Sequence, residues 1–457
     1  MKRSSLFLII KCKLHYNSYK YQDKLSFMKV QKRFAWYMYD WSSSAFSTTV
    51  VTVFLGPYLT NLAESQAGMS GVLEIAGIDI AAGSFFPYCV SISVLLQAIL
   101  LPIIASFADK KNNKQGLLLL CASIGSVATM GFYGIDSSVV ILGGLLFILA
   151  NTAYGASIVF YNAMLLDIAE PHERDEVSSK GFAFGYLGGG LLLLLNILFF
   201  LQKDSFGIDT GLAVRICLTS AGVWWLIFTV IPFVLVGRQS SLYHEKEKGL
   251  NSWKQLINTC KQLKNYPQTL LFLLAFTLYN DGIQTVITMS AQFGQEELGL
   301  SLAELQGAIL LVQFIALFGA LFFNKIAQKT STKTSILISL CIWGCVILYG
   351  YAFLPKHSAM HFYALSSVIA IVLGGSQALS RSYFSSIIPK GKETEYFSFY
   401  ELTDRGTSWL GPLAFGLAFQ YSGSYRIALL ILLIFFISGA LLLLSVQTQK
   451  AQQAILD

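Results

Sequence analysis

The chain has 457 residues, of which 54% are hydrophobic and 12% charged, with a formal net charge of +7 and a mean hydropathy of +0.59. Soluble domains carry about 25% charged residues, so a water-soluble enzyme or binding module is excluded. Uncharged windows such as 216–236 and 427–446 suit helices crossing a bilayer core, which takes about 20 residues at 1.5 Å each; a β-barrel would show short alternating strands instead.

The first 33 residues form a basic, irregular tail. Its apolar run LFLII is too short for a signal-peptide core, and Met28 opens MKVQKRFAWYMYDW, a natural-looking start. Residues 1–27 are therefore expected to be a disordered extension or a misassigned start. Twelve helical spans are predicted near 35–61, 85–107, 115–135, 138–165, 181–201, 216–236, 269–292, 303–326, 334–354, 361–387, 398–421 and 427–446. Glu401, Asp404 and Arg405 interrupt the start of the eleventh. The polar stretch 238–267 separates a six-helix N-terminal bundle (34–237) from a six-helix C-terminal bundle (268–446), and 447–457 remains as a tail. The expected fold is thus an all-α polytopic membrane protein of twelve transmembrane helices in two bundles.

With both termini in the cytoplasm, all 32 basic residues but Lys203, Arg215, Lys356, Arg426 and the intramembrane Arg381 fall on the cytoplasmic side, as positively charged loops require. The net positive charge is then a topology signal with some attraction to anionic lipid, and no nucleic-acid partner is expected. None of the seven cysteines lies in a predicted outer loop, so no disulfide framework is expected. Cys341 and Cys345, one helical turn apart, read as small packing residues. The five histidines form no spaced metal set. No phosphate-binding G-x-x-x-x-G-K-[ST] loop occurs, so transport would run on a gradient or passively, without a cofactor.

The halves echo one another. ASFADKKNNK (105–114) ends the second span as NKIAQKTSTK (324–333) ends the eighth; Pro171 and Pro389 stop the fourth and tenth before charged turns. Two parallel six-helix repeats are the layout of major facilitator transporters. FADKK with Asn112, Asn113 and Lys114 resembles that superfamily's loop motif, although Ala105 and Asn112 stand where it has glycines. YDWSSSAF (39–46), FYNAMLLDIAEP (160–171), SSKGFAFGYLGGG (178–190), LYNDGIQTV (278–286) and SRSYFSSIIPKGKETEYFSFY (380–400) with SWLGP (408–412) resemble, in this order and spacing, the vacuolar amino-acid effluxers linked to autophagy and their bacterial relatives. The resemblance covers residues 34 to about 446 and implies a twelve-helix transporter, with amino-acid efflux as its suggested activity. Ser398 departs from the family's glycine before Phe-Tyr.

Asp281 lies about 13 residues, or roughly 20 Å, into the seventh span. An acid at that depth costs about 2.5–3.5 kcal/mol on insertion scales, so a task or a partner is expected. It could carry a proton or hold a substrate ammonium; a structural acid paired with a neighbouring helix is the alternative. Gly282 would leave local room, Gln284 shares the face, and Tyr279 and Asn280 add hydrogen-bonding groups. Asp40, after Tyr39, echoes the YND of span seven but sits nearer the cytoplasmic end. There it could bind substrate or proton, join a gate, or cap the helix. Arg381 could snorkel, meet a carboxylate or phosphate, or pair with Glu401 or Asp404. Asn162 could line the same cavity or bond helix to helix. Asp109, Lys110 and Lys114 are expected to form a conformational switch, or a plain solvated turn. Gly185 and Gly188 suit close helix crossing.

The resulting expectation is a monomeric secondary transporter of a small polar solute, with proton coupling as one option, working by alternating access. A bacterial inner membrane with both termini cytoplasmic is the expected location. The competing reading is a non-transporting membrane sensor or scaffold on the same fold.

Overall fold

The computed structural model describes residues 30–455 apart from 76, 83–84, 112, 237–263, 407–409 and 423. The expectations for residues 1–27 and for most of the linker 238–267 lie outside the described residues. Helix α1 runs continuously over 30–67, and its middle, Phe46–Phe54, is wound as a π-helix. It is followed by a two-stranded antiparallel hairpin, β1 (Val72–Ile75) and β2 (Ile78–Ala81), in which Val72 pairs with Ala81 and Ile75 with Ile78. The hairpin was not foreseen. Gly71 and Gly77 adopt positive φ at its ends, a conformation glycine takes without penalty.

The remaining helices are α2 (Phe85–Lys111), α3 (Lys114–Met130), α4 (Val140–Ala163), α5 (Arg174–Leu201), α6 (Thr210–Val236), α7 (Pro267–Gln292), α8 (Leu302–Lys329), α9 (Thr332–Ala352), α10 (Ala359–Ser385), α11 (Glu393–Gly406), α12 (Leu410–Ser422), α13 (Tyr425–Leu430), α14 (Leu433–Ser445) and α15 (Thr448–Gln453). Among the described residues nine helices are long and apolar enough, by length and composition, to cross a membrane. Helix α1, helix α2 and the pair α11–α12 occupy the places of the first, second and eleventh expected spans. Local signals set several starts: Asn113 accepts from the Gly116 amide, Ser331 from Thr334, and Ser301 and Glu304 form a reciprocal capping box.

The helices carry apolar side chains on both sides. Leu120, Val127, Leu195, Phe318 and Leu441 are turned outward, as a bilayer permits and water does not. Inside lie two large apolar cores. One gathers Trp36, Phe46, Phe147, Phe160 and Trp225 from α1–α6. The other gathers Phe272, Phe276, Trp343, Phe384 and Phe436 from α7 onward. Close crossings run through glycines. A Cβ on Gly188 would lie 2.3 Å from the Trp41 carbonyl oxygen, and one on Gly374 2.2 Å from that of Ala316, so α5 packs on α1 and α10 on α8 at backbone distance.

The tail behaves differently from a free end. Helix α15 docks back on the C-terminal half, with Ala451 buried, the Gln447 amide donating to Gln268 and Thr448 bonded to the Tyr383 hydroxyl at 2.8 Å. Cys341 and Cys345 are exposed rather than packed, because the face of α9 that carries them points out of the bundle.

Candidate functional site

The described chain ends and the loops between α2 and α3, α4 and α5, α8 and α9, and α10 and α11 lie on one face. Arg33 pairs with Glu173, Thr332 donates to Asp175 at 2.6 Å, and Lys333 donates to the Leu444 carbonyl at 2.8 Å. On and just below this face polar side chains tie the two halves together. Lys114, nearly buried, stands 3.2 Å from both Asp167 and Glu393, joining the ends of α4 and α11 through the start of α3. Arg174 donates to the Ser385 carbonyl at 2.7 Å, Ser178 to that of Ala378 at 2.7 Å, and Tyr186 to Gln377 at 2.7 Å.

At the centre of these contacts sits Arg381, only 3% exposed. Its Nε donates to Ser178 Oγ at 2.9 Å, one terminal nitrogen to the Ser178 carbonyl at 2.8 Å, and the other to Asn162 Oδ1 at 3.4 Å while standing 3.7 Å from Asp40 Oδ2. The guanidinium carbon lies 4.1 Å from the Phe182 ring centre, 4.9 Å from Trp36 and 5.2 Å from Tyr161. Tyr161 in turn donates to Asp40 Oδ2 at 2.8 Å, and Asn162 donates to Glu401 Oε1 at 2.7 Å. An arginine ringed by aromatics, a carboxylate and neutral acceptors is a fully solvated cation in protein terms.

Several expectations are corrected here. Arg381 does not snorkel; it points between the halves, and its acid is Asp40, with Glu401 held one step away through Asn162. Asp40 caps nothing, since α1 begins ten residues earlier; it is buried against α4, α5 and α10. Tyr39 bonds its hydroxyl to Ser157 and packs on Tyr161 at 4.9 Å, so it belongs to the wall of this cluster. Of the expected switch residues, Lys114 makes the cross-link, while the side chains of Asp109 and Lys110 lie outside the described residues. Asp404 and Arg405 do so as well.

Asp281 stands apart from the cluster and shares no hydrogen bond or ion pair with Asp40. It is 1% exposed, and neither carboxylate oxygen has a hydrogen-bond partner among the described residues. Gly411 of α12 approaches it closely, since a Cβ there would lie 3.1 Å from the Asp281 carbonyl oxygen. A Cβ on Gly411 would strike Thr285 Oγ1 at 1.9 Å, so only glycine lets α12 approach α7 at this acid. Gly282 leaves no free space: a Cβ there would lie 3.2 Å from Phe435 and Phe436, and α14 fills the gap. Tyr279 is directed away, its hydroxyl 2.6 Å from Ser380 on α10. Asn280 is buried, and Gln284 is partly exposed. A groove of about 480 Å³ elsewhere, lined by Leu192, Trp224 and Phe228 among others, opens on the outer flank of the N-terminal half and contains none of these residues. No group of three or more His, Cys, Asp or Glu side chains is placed to hold a metal among the described residues.

Sequence reading missed Trp36, Tyr161, Ser178, Phe182 and Glu393 as members of the interface, and it offered Glu401 as a partner of Arg381, where the structure bonds it to Asn162. Glu401 carried a signal, a charge inside a span, that reads equally as a weak span. Gly181 carried another: a Cβ there would lie 2.6 Å from Trp36, 2.8 Å from the Tyr161 hydroxyl and 3.0 Å from an Arg381 nitrogen.

Residues 28–455 match the family described as "Vacuole effluxer Atg22 like". The chain is 29% identical to an uncharacterized MFS-type transporter, YxiO, of Bacillus subtilis (strain 168), over 90% of its own length and 93% of that protein's. It is 27% identical to Autophagy-related protein 22-1 of Aspergillus niger, covering 84% of this chain and 76% of the relative. Among solved structures it superposes on the major facilitator superfamily transporter FucP with a TM-score of 0.63 at 11% identity, covering 91% of this chain and 98% of the other. An all-helical, membrane-embedded chain matched over nearly its whole length in this way belongs to the Atg22-like effluxer family, and is therefore a major facilitator superfamily transporter rather than an enzyme.

Proposed function

We propose that the protein moves a small polar solute, with amino-acid efflux as the specific activity, by alternating access driven by a proton gradient. The observation that carries this reading is the gathering of side-chain bonds between the halves at one end of the helices. Lys114, Asn162, Arg174, Ser178 and Arg381 all cross within about 18 Å of the face that bears the termini. A seam zipped at one end by breakable ion pairs and hydrogen bonds is the arrangement a rocking mechanism needs. In this reading the terminus face is the closed, cytoplasmic face of a bacterial inner membrane, and a monomer suffices.

Asp281 supports the coupling. A buried carboxyl with no hydrogen-bond partner among the described residues is left free to take a proton or a solute's cationic head. Asn280 and Gln284 would share the solute's polar contacts, while Lys114 joins the switch. Purified protein in proteoliposomes tests the proposal with a panel of amino acids and small peptides under an imposed pH gradient. Counterflow or gradient-driven uptake of a member of the panel is expected, with Asp281→Asn losing flux or its dependence on the gradient while remaining folded. Unchanged flux and pH dependence in that variant would remove Asp281 from the mechanism. Failure of the entire panel would favour the sensor reading.

A further inference from the structure

Every contact described above for Arg381 lies on the opposite half of the molecule. The residue belongs to α10, whereas Asp40 and Trp36 come from α1, Tyr161 and Asn162 from α4, and Ser178 and Phe182 from α5. The aromatic and acidic walls of the cage are held within the N-terminal half, while Asn162 and Ser178 also bond to Glu401 and to the Ala378 carbonyl. Trp36 stacks on Tyr161 at 4.3 Å and donates from its indole to the Tyr161 carbonyl at 2.8 Å, and Tyr161 orients Asp40. Gly181 and Gly185 form the remaining wall, where a Cβ would press on Trp36, Tyr161 and Asp40.

We infer that this cage is a receptor for an organic cation, an ammonium or guanidinium head, and that Arg381 is its internal occupant in the closed state. The inference rests on the alternating-access reading for its role in transport. When the halves part at this face, the guanidinium is withdrawn and the cage keeps three aromatic faces, one carboxylate and three neutral acceptor atoms, two of Ser178 and one of Asn162, around an empty position. Rings and an acid with no cation attract one from solution. A solute bearing such a head takes the place of Arg381, and the return of Arg381 on closure displaces it. The glycines at positions 181 and 185 keep the space open that both occupants need.

Chemical rescue tests the site. The full-length Arg381→Ala protein lacks the ethylguanidinium portion of the side chain, so ethylguanidinium chloride at about 10 mM is expected to raise its thermal midpoint by about 2–4 °C over the same concentration of sodium chloride. Propylammonium is expected to do so more weakly, and propionate not at all. Adding Asp40→Asn to Arg381→Ala is expected to abolish the shift. No shift, or an equal one without Asp40, overturns the inference. If Arg381→Ala yields no folded protein, purification in ethylguanidinium becomes the readout: recovery supports the cage and failure overturns it. Flux separates this from the transport proposal. A solute without any cationic group, carried as well by Asp40→Asn as by wild type, defeats the cage as a solute site and leaves transport standing. Rescue with no flux of any solute supports the cage and defeats transport.

Discussion

Replacing Asp40 by Asn removes one charge from a buried pair and keeps the shape, the Tyr161 bond and every neutral acceptor of Arg381. At 3.7 Å, two unit charges at an effective dielectric of 20 attract by about 4 kcal/mol. Part of that is regained when Arg381 meets water in the opened state, and the Ser178 and Asn162 acceptors persist. Breaking a buried pair typically costs about 3–5 kcal/mol. A net loss of about 2–3 kcal/mol from the closed state is therefore expected, equivalent to roughly a 30- to 150-fold shift toward opening at the terminus face. The assay is the alkylation rate of a cysteine placed at Ala163, which is fully buried where α4 meets the C-terminal core, in a protein with its native cysteines replaced. Asp40→Asn should accelerate labelling at least tenfold. A rate equal to or below that of the parent, in folded protein, would show that the ion pair does not hold the seam.

Asp281→Asn is expected to lower the thermal midpoint by no more than a few degrees, because the amide keeps the size of the acid while adding an N–H donor at a place where neither carboxylate oxygen has a hydrogen-bond partner among the described residues; a larger fall would mean that the acid is a structural bridge. Gly188→Ala should lower stability by about 1–3 kcal/mol, read by thermal unfolding, since its Cβ would overlap the Trp41 backbone; a neutral effect would refute the close crossing of α1 and α5. Glu304, partly exposed at the start of α8, has its carboxyl held below the usual range by hydrogen bonds from the Ser301 hydroxyl and amide. A carboxyl of depressed pKa stabilises above its unfolded value and loses that contribution as pH falls through the folded one. Protection of the amides at the α8 N-terminus, corrected for the intrinsic pH dependence of exchange, should therefore fall on acidification, and Glu304→Gln should flatten that dependence.

The helices were legible because lipid demands runs of apolar residues, and the sequence supplies them without interruption from α3 to α6 and again from α7 to α10. The eleventh span was the exception. Its acids have partners more than 200 residues away, Glu393 on Lys114 and Glu401 on Asn162, and no local pattern announces a pairing across two halves. The same distance hid the relation of Asp40 to Arg381. Both were marked as charges out of place, but the echo of YD and YND drew Asp40 toward Asp281, from which the structure separates it. Asp281 itself was read by depth alone, and its burial agrees. What depth could not convey was the absence of a hydrogen-bond partner among the described residues, because that depends on how closely Gly411 lets α12 approach.

The π-wound stretch of α1 carries one more consequence. Its hydrogen bonds span five residues, as that from the Leu55 amide to the Val50 carbonyl does, so the coil there is wider and holds one residue beyond α-helical need. Passing that surplus residue along the axis would crank the distal segment by about 100°, the pitch angle of a single residue. Tyr58 and Leu59 would then trade their inward stations for neighbours that now look outward, while Trp36 to Asp40 stayed fixed. Such a shift would turn the outer tip of the helix relative to its anchored stem.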